Sequence, residues 1–144
     1  MDPYVLQPGG GEPLTVAGAS MFIKTSGNDG LFLAEHSMPP TFSGPPAHIH
    51  EEIDHAFFVV EGSVRFVISD EESLAESGSF VYIPRGAIHS FGNPSGSPNR
   101  FLEINIPGAF ERYYRELAEA FPPGSTLDPA RMHEIQRRHK TNPA

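Results

Sequence analysis

Short apolar runs alternate with turn residues along most of this chain, and no single pattern persists for long. Runs rich in β-branched and aromatic residues lie at Met21–Thr25, Leu31–Ser37, His55–Glu61, Ser63–Ser69, Ser79–Pro84, Ile88–Gly92 and Arg100–Pro107. Their lengths and compositions predict strands. Gly62, Gly78, Pro84, Gly86, Gly92 and Pro94 punctuate them, and Glu61-Gly62 between two apolar runs predicts a hairpin. Many short strands with tight turns predict an all-β sandwich or jelly roll rather than an α/β fold. In the last run Leu102, Ile104 and Ile106 share one face, while Phe101, Glu103 and Asn105 share the other. Either row is a candidate for the core.

After Pro107 the period becomes helical. Phe110, Tyr113, Tyr114, Leu117 and Phe121 form one stripe over Ala109–Phe121, and Pro122-Pro123-Gly124 ends it. Asp128 is suited to cap a second helix through Arg131–His139, with Pro129 at its first position. The expected organisation is therefore a β-barrel over residues 1–108, with a flexible tail at 1–13, and a C-terminal helical extension of the same domain over 109–144. Residues 140–144 are expected to fray. The aromatic stripe must dock on the barrel or on a partner, and barrels of this kind expose sheet edges that a second copy covers, so a homodimer is expected.

A length of 144 residues suits one domain with a real core. The net charge of −8 argues against a nucleic-acid binder, which needs a basic face to displace counterions from phosphates. Most of the imbalance precedes Arg100; beyond it lie Arg112, Arg115, Arg131, Arg137, Arg138 and Lys140, the one segment suited to an acidic partner. Cysteine is absent, which removes disulfides, thiolate zinc sites and thiol nucleophiles. That composition fits a reducing cytoplasm. No apolar run is long enough to span a membrane, and the opening MDPYVLQPGGGEP lacks the basic start and apolar stretch of a signal peptide.

The candidate chemistry lies in histidine. Of seven histidines, four fall in one pattern: His48, His50, His55 and His89. In an extended chain His48 and His50 point to one face, about 6–7 Å apart, so both imidazoles can converge on one ion. A jelly roll can bring His55 and His89 to the same end. Imidazole suits zinc, iron, nickel, copper and manganese, and an all-histidine set leaves a divalent ion its full charge as a Lewis acid. His55 is read either as a fourth ligand or as a group that supports one. His36, Asp54 and Tyr82 are candidate proton-transfer groups. Glu103 could also reach the cavity if its face turns inward.

Two stretches carry a family resemblance. GPPAHIHEEIDHAFFVVEG (44–62) is similar to the first cupin motif, and GSFVYIPRGAIHSFGN (78–93) is similar to the second, with Gly78, Pro84, Gly86, His89 and Asn93 at the motif's spacing. The resemblance implies a cupin jelly roll (a double-stranded β-helix barrel) with His48, His50 and His89 as ligands of a divalent metal ion. The family usually has glutamate where this chain has His55. With four histidines, one cupin domain and a C-terminal helix, the chain resembles single-domain cupins of aromatic polyketide pathways, the resistomycin-type polyketide cyclases among them. That implies aldol-type ring closure of a poly-β-ketone, with zinc as the expected ion and an acyl carrier protein as a candidate carrier of the substrate. The PGAF-plus-helix segment also resembles quercetinase-like dioxygenases, and cupins include small-molecule-binding modules without turnover.

Overall fold

The computed structural model describes residues 1–144. Its strands are β1 (Glu12–Val16), β2 (Ala19–Ile23), β3 (Phe32–Ser37), β4 (His48–His50), β5 (Asp54–Glu61), β6 (Ser63–Ile68), β7 (Glu71–Glu76), β8 (Phe80–Ile83), β9 (His89–Gly92), β10 (Arg100–Ile106) and β11 (Thr141–Pro143). A 3₁₀ turn at Gly108–Phe110 leads into α1 (Glu111–Ala120), and α2 (Pro129–Arg138) follows. The strands form two antiparallel sheets, a six-stranded one in the order β1-β2-β3-β10-β5-β8 and a five-stranded one in the order β11-β4-β9-β6-β7. This is the expected all-β jelly roll with a small helical part after the last long strand. No helix is long and apolar enough to cross a membrane.

Alternation fixes which side chains meet. In β5, His55, Phe57 and Val59 are buried while Phe58 is exposed. In β10 the buried row is Phe101, Glu103 and Asn105, and the apolar row Leu102, Ile104 and Ile106 faces out. The core is therefore built around a carboxylate and an amide rather than around the more hydrophobic face of that strand. The outer face of the six-stranded sheet keeps Phe58, Phe80, Tyr82 and Ile106 exposed.

Two apolar clusters hold the molecule. One lies between the sheets and contains Met38, Phe57, Val64, Phe66, Ile83 and Phe101. The other lies between the N-terminal strands and the helices, where Met21, Ile23 and Phe32 meet Phe110, Tyr113, Tyr114, Leu117 and Phe121. The aromatic stripe thus docks on its own barrel. Asp128 Oδ1 accepts a hydrogen bond from Ala130 N at 3.0 Å, which caps α2.

Three segments differ from their sequence reading. The tail ends sooner than expected, because Glu12–Val16 pairs with β2. β7 escaped notice because only Ala75 of its six residues is buried, so its sequence is polar. Residues 141–143 do not fray; they pair with the whole of β4.

Gly44, in the first motif, has φ +76°, and a Cβ there would lie 1.6 Å from the Phe91 carbonyl oxygen. Gly18 has φ +92° but open space around it. Gly44→Ala should cost at least about 3 kcal/mol, from clash and strain together, and Gly18→Ala about 1–2 kcal/mol from strain alone. Urea unfolding of the two variants checks the contrast, and equal midpoints would contradict the close approach.

Candidate metal centre

β4 presents His48 and His50 on one face, and its partner β9 sets His89 directly opposite His48 in register. The ring nitrogens of His48, His50 and His89 can all lie within 4.8 Å of one another, and all three residues are buried. His55, from β5 in the other sheet, adjoins them. Its ring centroid is 4.4 Å from that of His50 and 5.4 Å from that of His89.

The outward nitrogens of His48, His50 and His89 are hydrogen-bonded, and that of His55 lies near a carboxylate. His48 Nδ1 donates to the Pro46 carbonyl at 2.8 Å and His89 Nδ1 donates to the Ala87 carbonyl at 3.0 Å. His50 Nδ1 lies 2.7 Å from Thr141 Oγ1, and His55 Nδ1 lies 3.1 Å from Glu103 Oε1. A carbonyl only accepts, so the proton sits on Nδ1 of His48 and His89, and their Nε2 lone pairs turn inward. Nε2 of His55 and of His89 is buried without a partner. Nε2 of His48 and of His50 face each other at 3.1 Å. Unpartnered buried acceptors are costly, and a divalent cation among them would satisfy them together. The donor set therefore fits a metal ion that accepts imidazole.

Charge agrees. Burial, reinforced by neighbouring imidazoles, pushes the His48 pKa down to about 3. Burial pushes His89 down to about 4 and lowers His50 well below its ordinary value. All three are neutral at pH 7, the form that ligates.

Behind this group lies Glu103, wholly buried. Its Oε2 is 2.7 Å from His36 Nε2, while Oε1 accepts from Tyr114 Oη at 2.6 Å and from Asn105 Nδ2 at 2.9 Å. Burial alone would raise its pKa, but contact with His36 and His55 outweighs this and holds it well below the usual carboxylate range. Burial and the Glu103 charge push Tyr114 well above the ordinary phenol value, so it stays a donor.

A cavity of about 630 Å³, its mouth included, opens onto the histidines. His36, His48, His50 and His55 form one part of its lining, and Met21, Met38, Phe91, Leu117, Leu127 and Met132 are among its apolar walls. It sits at the seam of the two hydrophobic clusters. Of the candidate proton-transfer groups, only His36 lines it. Tyr82 is corrected: it is 54% exposed on the outer face of the sheet, because Ile83 takes the inward position of that strand. Asp54 is corrected too. Arg85 donates to it from its backbone N at 2.9 Å and from Nη2 at 2.9 Å, and hydrogen bonding to that guanidinium lowers its pKa to about 2. A carboxylate so held is a poor base at neutral pH. Glu103 was one of two alternatives in the strand pattern. Thr141 carried no sequence signal at all.

The chain belongs to the cupin family: residues 34–105 match the Cupin domain. No curated protein matches it. Among solved structures it is similar to TT1209 from Thermus thermophilus, with 28% identity over 55% of this chain and 74% of that one and a TM-score of 0.51. It is also similar to a sugar phosphate isomerase from a cupin superfamily of Silicibacter pomeroyi (21% identity, 72% of this chain and 75% of that one, TM-score 0.63). A third is a predicted oxalate decarboxylase from Thermotoga maritima (19% identity, 72% and 99%, TM-score 0.64). The last two likenesses bear on the fold alone.

Alanine at His48, His50 or His89 should each remove most bound metal from purified protein, as read by elemental analysis; full occupancy in His89→Ala would contradict the site. The depressed histidines also set a pH dependence for the metal-free protein. Below pH 6.5 the unfolded chain takes up protons that folded His48 and His89 refuse until about pH 3 and 4. Unfolding then binds protons, so stability should fall as pH drops from 6.5 towards 4. Thermal unfolding should show a smaller loss over that window in His89→Ala.

Proposed function

We propose that this protein is a metal-dependent cyclase that closes rings in a poly-β-ketone chain by aldol chemistry, with His55 as a fourth ligand beside His48, His50 and His89. One observation carries the reading: an apolar-walled cavity meets inward-facing imidazole lone pairs and, in the same lining, a histidine backed by a buried carboxylate. The resemblance to single-domain polyketide cupins supports it. The four histidines would hold a zinc ion, which when bound would supply Lewis-acid polarisation of a ketone oxygen. The walls hold the flexible chain folded and exclude water, which provides the orientation that ring closure needs.

His36 is the proton-transfer group in this scheme. Its Nε2 is held against Glu103, which leaves Nδ1 for substrate. Nδ1 takes a proton from a methylene between two carbonyls, and that carbon bonds to a carbonyl carbon further along the chain. The proton on Nδ1 returns to the resulting alkoxide oxygen, and later loss of water with enolisation of the remaining ring ketones yields the aromatic ring. Glu103 stabilises the imidazolium between the two transfers, as a carboxylate behind a histidine does in other acid–base pairs.

The test is turnover of a poly-β-ketone substrate by zinc-loaded protein with dissolved oxygen monitored. Equal rates with and without oxygen are expected. His36→Asn should lower the rate on the order of 10²–10⁴-fold while zinc content stays unchanged, and Tyr82→Phe should behave as wild type. Stoichiometric oxygen uptake would replace this reading with a dioxygenase, and binding without product would replace it with a binding module.

A further inference from the structure

We propose that Thr141 is a positioning residue of the metal centre: its hydroxyl fixes the ring and tautomer of His50, and β11 is a structural part of the site. The proposal rests on the metal reading of the histidines and adds to it a segment outside both family motifs.

β4 is only three residues long. On one edge it shares a single register pair with β9, His48 with His89. On the other edge β11 pairs with its full length, Thr141 with His50, Asn142 with Ile49 and Pro143 with His48. Flanking bonds extend the zipper: Glu51 N donates to the Lys140 carbonyl at 3.0 Å and Ala144 N donates to the Ala47 carbonyl at 3.0 Å. The strand that carries two of the ligands is thus held mainly by residues 140–144.

Within that pairing Thr141 is fully buried. Its Oγ1 lies 2.7 Å from His50 Nδ1 and 3.4 Å from the His139 carbonyl. A metal ion on His50 Nε2 would place the ring proton on Nδ1, which then donates to Thr141 Oγ1 while the hydroxyl turns its own proton to the His139 carbonyl. His48 and His89 receive the same service from backbone carbonyls. Only His50 depends on a hydroxyl, which can be removed without disturbing the backbone. Outer partners of this kind are worth about 10–100-fold in metal affinity.

The test uses metal-free full chain and Zn²⁺ alone, with affinity read by competition against a chelating indicator. Thr141→Val keeps the shape and removes the acceptor, so zinc should bind about 10–100-fold more weakly. Thr141→Ser restores the acceptor and should bind within about threefold of wild type, a rescue that a pure packing role would not give. Hydrogen exchange on the unmodified protein supplies a measurement that needs no variant. If β11 helps to build the site, zinc must in turn slow exchange at the amides of residues 141 and 142, because such coupling is reciprocal. Wild-type zinc affinity in Thr141→Val, equal weakness in the valine and serine variants, or unchanged exchange on zinc addition would each overturn the proposal. A wild-type protein that binds no zinc would overturn the metal reading itself, whereas tight zinc in Thr141→Val with loss in His89→Ala overturns only the role of Thr141.

Discussion

A carboxylate with no access to water dictates much of this molecule. Glu103 is 0% exposed, and an uncompensated charge so deep would cost several kcal/mol. Its compensation comes from four directions: His36 on β3, His55 on β5, Tyr114 on α1 and Asn105 two residues along β10. Those partners tie together three adjacent strands and the first helix. They also explain the orientation of β10. Turning that strand over would bury Leu102, Ile104 and Ile106, but it would leave His36 and His55 facing each other with no anion between them. Apolar burial worth on the order of a few kcal/mol is forgone on that face so that the histidines keep their partner.

The helices complete the site as well as the core. Burial of Phe110, Tyr113, Tyr114, Leu117 and Phe121 against β2 and β3 roofs the barrel, and Tyr113, Tyr114 and Leu117 also close the cavity over the histidines. Phe110 meets His50 edge-on at a centroid distance of 4.8 Å and His55 at 5.9 Å. These contacts remove water from the imidazoles, which is why burial is the largest influence on the three depressed pKa values. Packing and chemistry are one cause here: the apolar roof that stabilises the fold also keeps the histidines neutral and their lone pairs available.

What the sequence made legible follows from which signals are local. Strands with one face in the core, such as β5 and β6, announce themselves by alternation and by the glycine between them. The His48–His50 pair is legible because an extended chain repeats its face every second residue. β7 and β11 are illegible for the opposite reason: β7 is a polar edge strand ordered by its hairpin with β6, and β11 is ordered by pairing with β4, far away in the sequence. Asp54 was a candidate for its nearness in sequence to His55, and Tyr82 on the condition that its face of the strand points inward. In a strand, though, the neighbour of an inward residue points outward, and both obey that rule. Glu103 required knowing which face of β10 is buried, and that depends on partners from β3, β5 and α1 that no local pattern contains.

The departure at His55 gains a physical meaning from the same geometry. Where the cupin motif usually has glutamate, this chain has imidazole, and the carboxylate reappears further out as Glu103, 3.1 Å from His55 Nδ1. Negative charge is thereby retained near the centre without contributing an oxygen to it. Coulomb attraction falls with distance, so a carboxylate behind an imidazole neutralises a bound cation less than one that touches it. The anion instead sits against His55 Nδ1 through Oε1 and against His36, in the cavity lining, through Oε2. One buried carboxylate can touch both His36 and His55 because it lies behind the two rings rather than at position 55, where the motif's glutamate would stand.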